Sequence, residues 1–324
     1  GTDYTCALDD TGLVCWGENL HGQTDVPTLS NLTQVSSGYG HTCALDDTGV
    51  VCWGWNAFGQ ADVPSLSNPT QVSLGDLHSC ALDDSGVVCW GFNPYGQADV
   101  PSLSNPKQVS LGYGHTCALD DTGVICWGWN EYGETDVPAL SNPMQISSGA
   151  FHNCALDDTG VICWGLNESG QADVPSLSNP KQVSLGYGHT CALDDTGVIC
   201  WGWNEYGETD VPALSNPMQI SSGDSHNCAL DDTGVVCWGE KDSGQTDVPE
   251  LSFTFDDDDT DNNVTSAVLD IDANGSFDAL TDGLIILRYA FGLRGQGLID
   301  GVISEDAMRA EAADIETYIE TLLP

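Results

Sequence analysis

Basic residues are almost missing from this chain: 6 Lys and Arg stand against 49 Asp and Glu, giving a net charge of −43. Within residues 1–255 they amount to Lys107, Lys181 and Lys241, with no Arg. A protein binds a polyanion by displacing its counterions with a positive patch, so the composition speaks against nucleic acid and anionic membrane surfaces; cations or basic surfaces fit instead. No apolar run is long enough to insert in a membrane, and no leader precedes the first motif, so Gly1 is expected either to follow a removed leader or to be a cut end of a longer chain. Short CxxC-type spacing is absent as well, which removes a structural zinc site.

What is present is repetition. CALDD begins at Cys6, Cys43, Cys80, Cys117, Cys154, Cys191 and Cys228, each 37 residues after the last. CWG keeps step from Cys15, Cys52, Cys89, Cys126, Cys163, Cys200 and Cys237. Seven copies at one period mean a single supersecondary unit stacked repeatedly. All 14 cysteines lie in these motifs, two per unit. The spacing suits a cross-strand disulfide in each unit: Cys6–Cys15, Cys43–Cys52, Cys80–Cys89, Cys117–Cys126, Cys154–Cys163, Cys191–Cys200 and Cys228–Cys237. Closing a loop of about ten residues adds at most roughly 2–3 kcal/mol in the chain-entropy view. Seven such bonds imply an oxidising compartment, hence a secreted, extracellular or cell-surface protein.

Each unit reads as four short strands. In the second, QVSSG (34–38) and HTCAL (41–45) are followed by the turn Asp46-Asp47-Thr48-Gly49, and VVCWG (50–54) pairs back to set Cys43 opposite Cys52. NAFGQADVP then reads as loop and a short outer strand, with Pro64 at an edge. Seven four-stranded units make an all-β seven-bladed propeller over residues 1–255. Unit one lacks its QVSSG strand, and Ser252-Phe253-Thr254-Phe255 is expected to supply it, in its own ring or in a neighbour's. Pro101–Gly149 and Pro175–Gly223 are identical over 49 residues, which favours a scaffold built by copying over a tuned catalytic pocket.

The run G-x-x-H-[TSN]-C-A-L…G-x-[VI]-C-W-G-x-N-x-x-G-[QE] resembles the regulator-of-chromosome-condensation repeat, in a short secreted bacterial form, with seven matches from residue 1 to about 255. The resemblance implies a seven-bladed β-propeller and no single activity: the family includes a nucleotide-exchange factor on chromatin, a β-lactamase inhibitory protein and many secreted proteins. The chromatin role requires basic surfaces that this chain lacks.

Residues 256–266 read as an acidic linker, and 267–324 as a small α-helical calcium-binding domain. Asp270, Asp272, Asn274, Ser276 and Asp278 alternate along a loop with Gly275 at the sixth position, a spacing that wraps a hard divalent cation such as Ca²⁺. The stretch 267–295 resembles the loop of EF-hand and dockerin modules, but position twelve is Thr281 and the closing carboxylate is Asp282. A last helix from about Ser304 to Leu323 would pack Ile315, Ile319 and Leu322 on Leu284, Ile285, Leu287 and Phe291.

Six histidines share one repeat position (His41, His78, His115, His152, His189 and His226, with Tyr4 in unit one), which points to hydrogen bonding within each blade, not to catalysis. The Asp-Asp turns put 14 carboxylates on one rim, either as turn residues or as a surface for cations or a basic partner. The CWG tryptophans pack blades, and Asn19, Asn56, Asn93, Asn130, Asn167 and Asn204 form turns. Copies differ after CWG, where the residue runs Glu18, Trp55, Phe92, Trp129, Leu166, Trp203 and Glu240 in unit order. Three residues further on lie Phe58, Tyr95, Tyr132 and Tyr206. These aromatics share one face, as a site for a protein partner or a glycan, or as packing between blades. Asn31, Asn167, Asn263 and Asn274 match the glycosylation sequon by pattern alone.

No lone nucleophile–base or carboxylate pair stands out, so the expected function is non-enzymatic: an extracellular structural or interaction protein whose calcium-stabilised tail serves attachment or self-assembly in a surface layer or fibre. An enzyme-inhibiting or glycan-binding module is the alternative, and a polysaccharide-active enzyme a more remote one. Sedimentation with calcium and with chelator tests the tail's role: calcium should change the assembly state, and an unchanged monomer in both would contradict it.

Overall fold

In the computed structural model, the described residues are 1–253, and they form strands and loops with no helix. They belong to a compact unit spanning Gly1–Phe255. The loop Asp270–Asp282, the linker and the C-terminal helix lie outside the described residues.

Unit one contributes β1 (Tyr4–Asp9) and β2 (Gly12–Gly17). Unit two contributes β3 (Gln34–Ser37), β4 (His41–Asp46) and β5 (Gly49–Gly54), and the other five repeat this pattern to Gly239. The result is one two-stranded and six three-stranded antiparallel sheets, one per unit. In register, Cys43 faces Cys52 and Asp46 faces Gly49. All seven cysteine pairs are disulfides, with Cα atoms 4.1 Å apart in the first. The expected outer strand is coil. Pro64 has no N–H to give a ladder, and the bonds just before it stay inside the turn (Asp62 N to Gly59 O, Val63 N to Ala61 O).

The core lies between units. Cys117, Leu119, Val124 and Val137 of unit four pack against Ile146, Ala155 and Trp164 of unit five. Polar groups lock the same interface. The Gln23 carbonyl accepts both Thr42 Oγ1 (2.8 Å) and Trp53 Nε1 (2.9 Å) from the next unit. The Gln71 side chain acts like a piece of strand: its Oε1 accepts Val109 N (2.9 Å) and its Nε2 donates to Val109 O (3.1 Å). First strands of neighbouring units thereby stand side by side around an axis without a backbone ladder of their own. Glycines collar that axis; a Cβ on Gly112 would meet the Gly149 carbonyl at 2.5 Å.

The histidines tie blades to each other and not within themselves as expected. His41 Nε2 shares a hydrogen bond with Ser79 Oγ (3.0 Å) and His78 Nε2 with Thr116 Oγ1 (2.9 Å), each one unit ahead. The strand alternation aims each ring across the interface, against the glycine of its own unit; a Cβ on Gly38 would lie 2.5 Å from His41 Cε1. His226 reaches Thr5 Oγ1 (2.8 Å), while Thr5 and Trp16 both donate to the Gln245 carbonyl, so unit seven closes on unit one.

Of the segment expected to close the ring, Ser252 and Phe253 are coil. Ser252 N donates to Asp9 Oδ2 (2.8 Å) and Asp10 N to Ser252 O (2.9 Å). Ser30 makes the same pair of bonds with Asp46 and Asp47, so Ser252 sits at the loop position of the repeat, before any strand. Thr254 and Phe255 lie outside the described residues.

The interface residues imply two measurable consequences. Burial depresses the imidazoles from 6.5 to about 3 for His41, His78, His152 and His226, and to about 4 for His115 and His189. Below pH 6.5 the unfolded chain takes up protons that the folded chain refuses, so stability is full above that pH and falls on acidification. The loss is about 2 kcal/mol per imidazole at pH 5, an upper value if the six were additive. Relief of acidic self-repulsion acts oppositely but is spread over mostly exposed, salt-screened carboxylates, so a circular-dichroism pH series at 0.5 M salt should still show melting temperature falling between pH 6.5 and 4.5; a flat or rising curve there would contradict the imidazoles as the dominant titrating groups. In unit four the conserved-position Gln is Glu134, whose Oε2 accepts Tyr132 N while its buried Oε1 has no partner and burial raises its proton affinity. Gln at this position in other units (Gln60, Gln97) also leaves its Nε2 without a partner, so the gain from Glu134→Gln is removal of a half-buried charge, and it should raise Tm at pH 7 by about 1–3 °C, as seen by calorimetry.

Candidate functional site

The two faces of the ring are built from different loops. On one, the Asp-Asp turns join the paired strands. Asp46 Oδ1 accepts Thr48 N (2.8 Å) and Thr48 Oγ1 (2.6 Å), its Oδ2 accepts Ser30 N (3.1 Å), and these bonds hold the carboxyl below its usual range. The second carboxylate of each turn is exposed. Asp47 receives Asn31 Nδ2 (2.8 Å), and Asn31 takes a left-handed φ of 49° that Asn tolerates better than most residues. Lys107 and Lys181 pair with Asp121 (2.7 Å) and Asp195 (3.0 Å) on this rim. The turn reading of the aspartates therefore accounts for the contacts seen. Among the described residues no group of three or more His, Cys, Asp or Glu could hold a metal ion.

The opposite face carries the loops after CWG. All but the last, where Lys241 stands instead, are fixed by an Asn that forms the expected turn: Asn56 Nδ2 donates to Asp62 Oδ1 (2.7 Å) and its Oδ1 accepts Ala61 N (2.9 Å). Asn167 is engaged in the same way with Asp173 and Ala172. The loops so held present Trp55, Phe58, Phe92, Tyr95, Trp129, Tyr132, Trp203 and Tyr206. Packing between units and exposure to solvent occur together. Trp55 meets Phe58, Phe58 meets Phe92 (4.8 Å between centroids) and Tyr95 meets Trp129 (4.3 Å), giving a chain of rings that crosses unit boundaries. Yet Phe58, Tyr95, Tyr132, Trp203 and Tyr206 are each more than two-fifths exposed. The Trp129 indole N–H is buried without an acceptor. Acidic side chains surround the arc: the Tyr206 phenol is pushed up chiefly by Glu205 and Glu240.

The structure adds a second ring of residues, nearer the axis, that sequence reading passed over. Two positions before each buried histidine stand Tyr39, Asp76, Tyr113, Ala150, Tyr187 and Asp224, with Thr2 before Tyr4. Tyr39 contacts Trp55 (5.7 Å) and Tyr113 contacts Trp129 (6.1 Å) and Phe151 (5.3 Å), so this ring opens on the aromatic face. Asp76 and Asp224 line a cavity of about 100 Å³ at the axis, among the collar glycines. Burial, then the charge of Asp224, raises Asp76 well above the usual carboxylate range. Variation among copies marks these positions as it marks the outer aromatics.

Known proteins of this architecture fall in line with the geometry. The sequence profile described as Regulator of chromosome condensation (RCC1) repeat matches residues 32–60, 70–97, 107–134, 145–171, 181–208 and 219–245. Unit one, without its first strand, is not matched. The fold resembles the ectodomain of the Physcomitrella patens receptor kinase CR4, with TM-score 0.65 and 25% identity over 73% of this chain and 70% of that one. It also resembles the CRINKLY WD40 ectodomain of the Arabidopsis thaliana receptor kinase ACR4, with TM-score 0.61 and 26% identity over 73% and 90%. Saccharomyces cerevisiae Prp20p, studied with Gsp1p and histones, shares the fold alone, with TM-score 0.63 and 17% identity over 78% and 84%. No curated protein sequence matches the chain. Six profile matches covering half its length, on units that each build one sheet of the ring, show that the chain belongs to the Regulator of chromosome condensation (RCC1) repeat family.

Proposed function

We propose that this is a non-enzymatic extracellular interaction protein that engages a protein partner through its aromatic face. The observation that carries the reading is the exposed arc from Phe58 to Tyr206. Apolar rings held in solvent by rigid loops are the usual material of binding hot spots. Seven disulfides and the likeness to plant receptor ectodomains support an extracellular setting. The excess of acid disfavours nucleic acid as the partner. In this reading the tail is a calcium module, with Asp270, Asp272, Asn274, Ser276, Asp278 and Asp282 as ligands, serving attachment or self-assembly. A glycan is the second occupant that exposed Trp and Tyr could serve.

Two variants screened against arrays of extracellular proteins and of polysaccharides test this. Tyr95→Ala/Tyr132→Ala/Trp203→Ala removes the face, and Asp47→Ala/Asp84→Ala/Asp121→Ala alters the opposite rim. Protein binding should drop at least tenfold in the first and persist in the second. Equal binding by both, loss in the rim variant alone, binding confined to polysaccharides, or polysaccharide turnover would overturn the proposal.

A further inference from the structure

Resting on the reading of the aromatic face as a binding surface, we infer that the axial mouth, whose cavity Asp76 and Asp224 line and where Tyr39, Tyr113 and Tyr187 hold the same repeat position in the units between, receives a cationic side chain, Lys or Arg, projecting from the partner protein. Three features converge. The first is composition: in blade order the mouth runs Tyr39, Asp76, Tyr113, Ala150, Tyr187, Asp224, so each carboxylate has a tyrosine just before it. Backbone bonds fix this alternation, from Tyr39 N to Asp76 O (3.2 Å) and from Tyr187 N to Asp224 O (2.9 Å). Phenol faces beside carboxylates are what a guanidinium or ammonium group binds, by cation–π attraction together with ion pairing.

The second is an uncompensated carboxylate. Asp224 accepts Thr2 Oγ1 (2.9 Å), but no side chain among the described residues donates to the recessed Asp76 carboxylate. The two acids lie close enough to raise Asp76 further, and both act on Tyr187, whose phenol burial and then Asp224 and Asp76 push up. A cation from outside would relieve this repulsion. The third is charge around the mouth: Glu131, Glu168, Glu205, Glu240 and Asp242 occupy the loops of this face against Lys241 alone. Such a field draws in a basic protein surface and turns away an acidic one.

Titration of the intact chain with acetyl-Gly-Gly-Arg-Gly-Gly-amide, its Lys form and its citrulline form, followed by tryptophan fluorescence, tests this directly. The Arg and Lys peptides should give a saturable change that weakens at 0.5 M salt, and the neutral, isosteric citrulline peptide should give none. Asp76→Asn and Tyr187→Ala should each weaken the Arg peptide at least fivefold, with Asp47→Asn unchanged. If a mouth variant fails to fold, the comparison of Arg with citrulline on the unaltered chain decides. Equal binding of citrulline, no saturable binding of either cationic peptide, or full affinity in a folded Asp76→Asn chain would overturn the inference. So would tighter binding of tetramethylammonium than of either peptide, which would assign the mouth to a small quaternary ammonium ligand. Loss of protein binding in the Tyr95/Tyr132/Trp203 variant without peptide binding at the mouth would leave the aromatic face as the site and remove only this inference.

Discussion

The hydrogen bonds that cross from one unit to the next are what the rest of the molecule depends on. A single unit buries an imidazole, a hydroxyl and an indole N–H whose partners all belong to its neighbours. His115 needs Asn153 of unit five, while Thr116 and Trp127 need the Gln97 carbonyl of unit three. A buried polar group without a partner costs about 1–3 kcal/mol, so an isolated unit would carry several such losses at once. With unit seven bonded back to unit one, every interface has such bonds, though Tyr4 takes the place of the imidazole between units one and two, and Asn153 and Asn227 that of the hydroxyl in units five and seven. The repeat sequence varies little because each copy must serve as both donor and acceptor to a like neighbour.

The disulfides act on a different scale. Each joins adjacent strands of one hairpin and none joins two units. They narrow the unfolded ensemble and hold β4 on β5, while the side chains between units decide how the sheets are arranged. Stability of the hairpin and geometry of the ring are thus separate, which lets loops at the two ends change freely. One end is occupied by Asp-Asp turns, where each first carboxylate is engaged in holding its turn and the adjacent loop. At the other, the Asn and Asp that hold most of the loops leave the residues beside them free of that duty. Those residues diverge between copies, and that is where aromatics and unbalanced carboxylates gather.

Much of this could be read before any fold was known. The 37-residue period, the Cys43–Cys52 register and the turn at Asp46–Gly49 follow from local spacing, because a strand alternates every two residues and a tight turn needs Gly at a positive φ; Gly49 has φ 123°. The Trp55–Tyr206 set was found by asking where copies differ. Other readings needed correction. The outer strand failed because Pro64 removes a donor just where a ladder would begin. Ser252 was placed in a strand because Phe253 and Phe255 favour one locally, although its partners are fixed by the repeat frame of unit one. His41 was assigned a partner in its own blade, when the alternation of β4 turns its ring outward to the next.

Periodicity, disulfide pairing, acidity and the family of the repeat were determined by sequence alone, since each depends on residues near one another in the chain or on simple sums. Only the tertiary structure decided which unit satisfies which buried group, and which loops meet at the axis. Asp76 and Asp224 are 148 residues apart. They share one cavity because closing the ring brings unit seven back beside unit one, a convergence that no local pattern encodes.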